Sequence, residues 1–191
     1  MKFKVNVFAI VLCLFSRYLF ASDGYTLDSK VSSVSFATIK SQYVVEPAVF
    51  GNLSGSIDEN GSFEISIDIN SINTGISIRD TRLSDILFES FKYPKVNVVG
   101  KVDLNILNEG VQNITVSSDV KFFDKIKTIN FPVTVLKSNN YLMVSSSSPV
   151  VISMSDFDIP SSNLIELAKT VGGISISSQV PLMLCLSFKK Q

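Results

Sequence analysis

Apolar and polar residues alternate over several long stretches of the chain. In residues 63–70, every odd-numbered position is Phe or Ile and every even-numbered position is polar or charged. The same two-residue period recurs over 114–122, 129–135 and 174–188. This alternation is typical of β-strands with one dry and one wet face. The pattern therefore predicts an antiparallel sheet whose apolar face encloses a core.

One segment in the first half of the chain has helical spacing instead. Between Leu83 and Phe91, apolar residues recur at intervals of three or four positions, which places them on one face of a helix. Ser77 is a candidate N-cap, and Pro94 would end the helix by forcing its predecessor out of the helical region. We therefore predict a main helix over Ile78–Lys92, placed to cover a sheet as a plug or lid.

Two further signals complete the predicted architecture. Asn60-Gly61 is the strongest hairpin signal, because both residue types tolerate a positive φ. A short second helix is predicted over Ser162–Lys169, ended by Gly172-Gly173. About eight antiparallel strands with one main helix indicate an all-β up-and-down barrel, which closes its own edges. A two-sheet sandwich would produce the same pattern.

The N-terminus has the features of a secretory signal peptide. Lys2 and Lys4 precede an apolar run from Val5 to Phe15, and Ala21 is a small residue before a candidate cleavage site. The apolar run is shorter than the roughly 20 residues of a membrane-spanning helix, although an uncleaved anchor is the alternative. We expect a signal peptide over 1–21 and a single domain over 22–191, located in the periplasm or secreted, with no stable membrane span after cleavage.

Composition excludes several classes of function. Without its first 21 residues the chain keeps 14 basic and 17 acidic side chains, a net charge of −3, and it has no basic tract that would suit nucleic acid. The chain has no His, which excludes Ser-His-Asp catalysis and the usual zinc ligand sets. Asp156 and Asp158 are better explained as turn formers than as a catalytic or calcium site. We therefore predict no metal site, no cofactor and no enzymatic activity.

Several motifs resemble the YceI-like family of secreted bacterial proteins. Tyr25-Thr26-Leu27-Asp28 resembles the family's start, and Asp156-Phe157-Asp158 resembles its Asp-Phe-Gly segment with Asp in place of Gly. The most specific match is spread over the segment around the main helix, at Ile72, Thr74, Gly75, Arg79, Asp80, Leu83, Phe88, Tyr93 and Pro94. Arg82 stands where the family usually has His. The similarity extends from Tyr25 to Phe188.

The resemblance implies a lipocalin-like barrel with an elongated internal cavity for a polyisoprenoid, such as a polyprenyl or quinone-type lipid, and it suggests a homodimer. No cofactor is implied beyond such a lipid. The alternative function is a barrel filled by its own side chains that acts as a structural or interaction module of the cell envelope. An enzymatic role comes third, and it would require a reactive polar cluster inside the cavity.

The candidate site residues are the large apolar side chains expected to face the interior. With 14 Phe and no Trp, the lining would be smooth and short of hydrogen-bonding groups, which suits a long apolar guest. Each of these residues could equally be ordinary core. The candidates are Phe36, Phe50, Ile65, Ile67, Phe88, Phe91, Phe122, Phe131 and Leu184. Arg79 and Arg82 are candidate contacts for a polar head group; alternatively, Arg79 forms a salt bridge at the helix–sheet junction and Arg82 is solvated.

Overall fold

The computed structural model describes residues 24–191, so the predicted signal peptide over 1–21 lies outside the described residues. Twelve strands and two α-helices, α1 (Ser77–Arg82) and α2 (Ser161–Lys169), make up the domain. The strands are β1 (Tyr25–Leu27), β2 (Ser33–Lys40), β3 (Val44–Phe50), β4 (Leu53–Ile57), β5 (Ser62–Asp68), β6 (Ile72–Asn73), β7 (Lys95–Lys101), β8 (Gly110–Phe122), β9 (Lys125–Lys137), β10 (Tyr141–Ser146), β11 (Val150–Ser153) and β12 (Gln179–Lys190).

The twelve strands combine into a closed antiparallel ring. β1 and β2 both pair with one edge of β12, and β10 and β11 both pair with its other edge. In the same way, β3 pairs with β2 and β4 pairs with β1, so β3 and β4 together fill the next position in the ring. β5 pairs with β4 and β6 pairs with β3, so β5 and β6 fill the position after that. Counted this way, the barrel has about eight positions, each filled by one long strand or two short ones. The predicted up-and-down barrel is confirmed, and because β1 pairs with β12 the sheet closes on itself rather than splitting into a sandwich.

The predicted hairpin at Asn60-Gly61 joins β4 to β5. The Asp58 carboxylate accepts hydrogen bonds from the backbone N–H groups of Asn60 and Ser62, each at 2.9 Å. Gly61 has φ +78°, and a Cβ there would lie 1.8 Å from the Val102 carbonyl oxygen. Glycine is therefore required here both by the backbone conformation and by the close approach of the neighbouring loop.

The main helix is present but shorter than predicted. α1 covers only Ser77–Arg82, and one π-helical turn, Leu83–Leu87, extends it. The helix therefore ends five residues before the predicted end at Lys92. Its start also differs, because Ile76 occupies the N-cap position that we predicted for Ser77. α2 begins within one residue of its prediction and ends at the predicted residue.

The helices cover one end of the barrel. α2 packs against the π-helical turn, and this pair lies over the end of the ring where β2 meets β3. The start of α1 is held by Asp80, whose carboxylate accepts hydrogen bonds from the backbone N–H and the hydroxyl of Thr74 at 2.8 and 2.6 Å. Among residues 24–191, no helix is long and apolar enough to cross a membrane.

Candidate functional site

The barrel encloses a cavity of about 240 Å³. Of its 41 lining residues, 36 are apolar, and the other five are Thr38 and four serines. None of the lining residues is ionisable. This interior follows from the alternation of each strand, because the apolar phase of every strand faces the axis of the closed barrel. The chemistry of the cavity is limited to burying apolar surface.

The structure places eight of the nine predicted cavity residues in the wall of this cavity. They come from six different strands and from the loop that follows the π-helical turn. The eight are Phe36, Phe50, Ile65, Ile67, Phe88, Phe122, Phe131 and Leu184. Their contact with a ligand stays a prediction.

Phe91 is the exception, and the prediction that it faces inward is wrong. Its side chain is fully exposed, at 103% of the reference area. The prediction assumed that helical spacing continues through residue 91. The helix instead ends at Leu87, and Glu89 adopts φ +44°, which turns the chain and points Phe91 to solvent.

Phe88 closes the cavity from the helical end. Its ring lies 6.4 Å from that of Phe36, 6.3 Å from that of Phe50 and 6.0 Å from that of Phe122, measured between centroids. Phe36 and Phe50 stack on each other at 5.3 Å. These edge-on and offset contacts between rings add favourable energy to the burial of their area. The Phe88 side chain, from the helical end of the barrel, thus joins rings of three strands into a single aromatic cluster.

A second pocket, which we call the vestibule, lies under α1 at the same end. It has a volume of about 330 Å³ and shares Thr38, Leu167 and Ile176 with the wall of the barrel cavity. Its other lining residues come from the β2–β3 hairpin, from α1 and the residue on either side of it, and from the segment after α2. They are Lys40, Ser41, Val44, Glu46, Ile76, Ile78, Arg79, Arg82, Leu83, Val171 and Ile174.

The charges of the vestibule are concentrated around Glu46. One carboxylate oxygen of Glu46 accepts a hydrogen bond from Arg79 Nη2 at 2.6 Å, and the other pairs with Lys40 Nζ. Arg79 and Lys40 therefore share one ion-pair partner, the Glu46 carboxylate. Arg82 lines the vestibule too, and within residues 24–191 it has no ion pair or side-chain hydrogen bond.

The positions of the two arginines agree in part with each of the two interpretations, a salt bridge with a solvated Arg82 and a site for a head group. Arg79 forms the salt bridge at the helix–sheet junction, and its partner is Glu46 rather than the neighbouring Asp80, which binds Thr74. Arg82 is partly exposed, and it also lines the vestibule next to the cavity. Contact of either arginine with a head group stays a prediction.

Sequence reasoning missed Lys40 and Glu46. A signal was present: in β2, the inward phase runs Val34, Phe36, Thr38, Lys40, so it changes from apolar to charged toward the hairpin. In β3, Glu46 lies opposite Thr38 and has the same inward phase as Phe50. A charge on the inward phase near a strand end marks the mouth of a barrel.

Reactive groups are sparse elsewhere in the described part of the chain. Residues 24–191 contain no cluster of three or more Cys, Asp or Glu side chains that could hold a metal ion. The shifted pKa values belong to surface lysines: Tyr93 raises the pKa of Lys92, and the Asp158 carboxylate raises the pKa of Lys125. Neither lysine lines the cavity or the vestibule.

Solved structures of three bacterial proteins have the same fold. A polyisoprenoid-binding domain from Saccharophagus degradans, implicated in plant cell wall breakdown, matches 87% of this chain and 98% of its own length, with 30% identity and a TM-score of 0.82. BcnA of Burkholderia cenocepacia matches 84% of this chain and 98% of its own, with 21% identity and a TM-score of 0.65. A mutant YceI protein of Campylobacter jejuni matches 75% of this chain and 84% of its own, with 18% identity and a TM-score of 0.52. The last two likenesses show the fold alone.

The sequence also identifies the family of the chain. No curated protein matches the chain. The model of the YceI-like domain matches residues 25–188, which is nearly the whole described barrel. The chain therefore belongs to the YceI-like domain family.

Proposed function

We propose that this protein binds a long isoprenoid-like lipid, of polyprenyl or quinone type, by enclosing its tail in the barrel cavity. The observation that carries the proposal is the wall of that cavity, which has 36 apolar residues and no ionisable one. The Saccharophagus degradans domain, 30% identical, is described as polyisoprenoid-binding, and this supports the same ligand class here.

The mechanism needs no bond chemistry. Each methylene that leaves water for the cavity contributes about 0.8 kcal/mol, so affinity should rise with tail length until the cavity is full. A volume of about 240 Å³ is below the range of about 300–1,000 Å³ for pockets that hold drug-sized ligands. A flexible chain, which can adapt to a small cavity, therefore suits it better than a bulky ring system.

The proposal extends to the setting in which the protein works. If residues 1–21 act as a signal peptide, the barrel reaches the periplasm or the medium, where it could hold or carry a lipid between membranes. Dimerisation, implied by the family resemblance, is an expectation that light scattering of the purified protein would test.

The first test is native mass spectrometry of the protein purified from its own host, before and after extraction with organic solvent. We expect a discrete added mass that matches a prenyl lipid and disappears on extraction. Geranylgeraniol added to the extracted protein should then restore a complex of one-to-one stoichiometry. An apo mass from the host, together with no uptake of the prenol, would overturn the proposal.

Two neighbouring serines of β8 provide a matched pair of variants. Ser118 is buried and lines the cavity, whereas Ser117 is exposed on the outer face of the same strand. Ser118→Phe should fill the cavity and abolish lipid uptake, while Ser117→Phe should leave it unchanged. Thermal unfolding of both variants shows whether each is folded. Equal uptake by two folded variants would place the ligand outside the barrel.

A barrel filled by its own side chains is the second candidate function. The small volume of the cavity favours it, because about 240 Å³ is below the usual range for ligand pockets. The protein would then act as a structural or interaction module of the cell envelope. An apo mass from the host and failure to take up prenols would favour this function over lipid binding.

A further inference from the structure

The vestibule is where the interior of the barrel changes from apolar to charged. Along β2 the inward side chains pass from Phe36 through the hydroxyl of Thr38 to the ammonium group of Lys40. Thr38 contributes to the walls of both pockets, so the change happens where the two pockets share a wall. A molecule that extends from the barrel into the vestibule therefore meets apolar surface along one part and charge at the other.

The vestibule carries an excess of positive charge. Its lining contains three cations, Lys40, Arg79 and Arg82, and one carboxylate, that of Glu46. Glu46 is shared between Lys40 and Arg79, so it offsets one charge of the two. Within residues 24–191, the guanidinium group of Arg82 forms no ion pair. Two positive charges in a recess with apolar walls favour an anion over a neutral group.

The rim of the vestibule is apolar and open. Val44, Ile76 and Ile78 all line it and are each about half exposed. Exposed aliphatic side chains beside a charged recess suit the entry of an amphiphile, because the tail can pass over the rim while the head stays near the cations.

We propose that the vestibule binds the anionic head of a long-chain lipid, a phosphate or a carboxylate, with Arg82 as its main contact and Arg79 and Lys40 beside it. This inference rests on the proposed function, since it assigns the head of the lipid whose tail occupies the barrel. It selects among the lipids considered above: a prenyl phosphate fits the site, and a neutral quinone or alcohol does not use it.

The test compares ligands that have the same tail and different heads. Extracted protein is titrated by calorimetry with geranylgeranyl monophosphate and with geranylgeraniol, both below the concentrations at which they aggregate. A hydrogen bond to a charged group contributes enough to predict about tenfold tighter binding of the phosphate. Palmitate against 1-hexadecanol forms a second pair, which separates a carboxylate head from a phosphate head.

Variants then test which residue causes the preference for the phosphate over the alcohol. Arg82→Gln should weaken binding of the prenyl phosphate about tenfold and leave the alcohol unchanged. Lys101→Gln is the matched control, because Lys101 is an exposed lysine of β7 that lines neither pocket, and it should change neither affinity. The preference of the wild-type protein should also fall as salt is raised, since ions screen the interaction.

The outcomes separate this inference from the proposed function. If the alcohol and the phosphate bind equally well to the wild-type protein, the inference is wrong and lipid binding by the barrel still stands. If Arg82→Gln weakens both ligands equally while remaining folded, Arg82 acts on the structure and not on the head. If no ligand of either pair binds, the proposed function itself fails and the vestibule has no tail to anchor.

Discussion

The orientation of side chains follows from the sequence differently in the wall of the barrel and in its helical cap, which is formed by α1, the π-helical turn with the loop after it, and α2. In the wall, the seven predicted cavity residues that lie in strands all line the cavity. In the cap, Phe88 and Phe91 were both predicted to face inward, yet Phe88 lines the cavity and Phe91 is fully exposed. The two phenylalanines are only three positions apart.

The difference has a physical origin. In a strand, successive side chains point to opposite faces for steric reasons, so one correct position fixes its neighbours as long as the strand continues. In a helix, the phase holds only until the helix ends. Here a π-helical turn over Leu83–Leu87 and the left-handed conformation of Glu89 end it early. The direction of each side chain in the cap therefore depends on the residue at which the helix ends.

The largest expected effect tests the two phenylalanines directly. Phe88→Ala removes a ring that contacts three others, and it should lower the free energy of unfolding by about 3 kcal/mol. Phe91→Ala removes a fully exposed ring and should change it by less than about 0.5 kcal/mol. Urea denaturation followed by circular dichroism measures both. Similar losses for the two variants would mean that the cap packs differently from the structure.

A glycine substitution tests the geometry of the hairpin that joins β4 to β5 in the wall. Gly61→Ala combines a left-handed backbone with a clash against the Val102 carbonyl oxygen, and we expect a loss of about 2 kcal/mol. Gly51→Ala is the matched control, because nothing lies within 4 Å of a Cβ at that position and its φ is not positive. A Gly61→Ala variant as stable as Gly51→Ala would contradict the hairpin geometry.

The anchor of the cap should matter less. Asp80→Ala removes the carboxylate that accepts two hydrogen bonds from Thr74, and it should lower the free energy of unfolding by about 1.5 kcal/mol. Asp85→Ala removes an exposed carboxylate from the π-helical turn and should cost little. Chemical denaturation compares the two variants, and a loss in Asp85→Ala as large as that in Asp80→Ala would count against this role of Asp80.

The smallest expected effect belongs to an exposed ion pair between Lys125, at the start of β9, and Asp158. Lys125 Nζ is 2.7 Å from Asp158 Oδ2, but both side chains are more than half exposed, so Lys125→Gln should leave the melting temperature unchanged at neutral pH. Asp158 raises the pKa of Lys125 above its ordinary value of 10.5. Any stabilisation from the pair is then complete below pH 10.5 and disappears as the pH rises through the raised pKa. A melting temperature of Lys125→Gln that differed from wild type at pH 7 but not at pH 12 would show that the pair is stronger than its exposure indicates.

The vestibule lies between these two regions and was only half predictable. Arg79 and Arg82 were singled out as candidate contacts for a polar head group, and both lie within the predicted helix. Lys40 and Glu46 were missed because their significance depends on facing inward at the end of a strand pair. Arg79 and Glu46 are 33 residues apart in the sequence, and no local pattern reports that they meet.

The sequence by itself determined the strands, the inward residues of the wall and the hairpin at Gly61. Those features depend on sterics within a few residues, so local pattern is sufficient to define them. The tertiary structure decided that twelve strands close into one ring, where the cap ends, and that Lys40, Glu46 and Arg79 form one cluster beside Arg82. These depend on contacts between segments that are distant along the chain, and only the folded barrel brings them together.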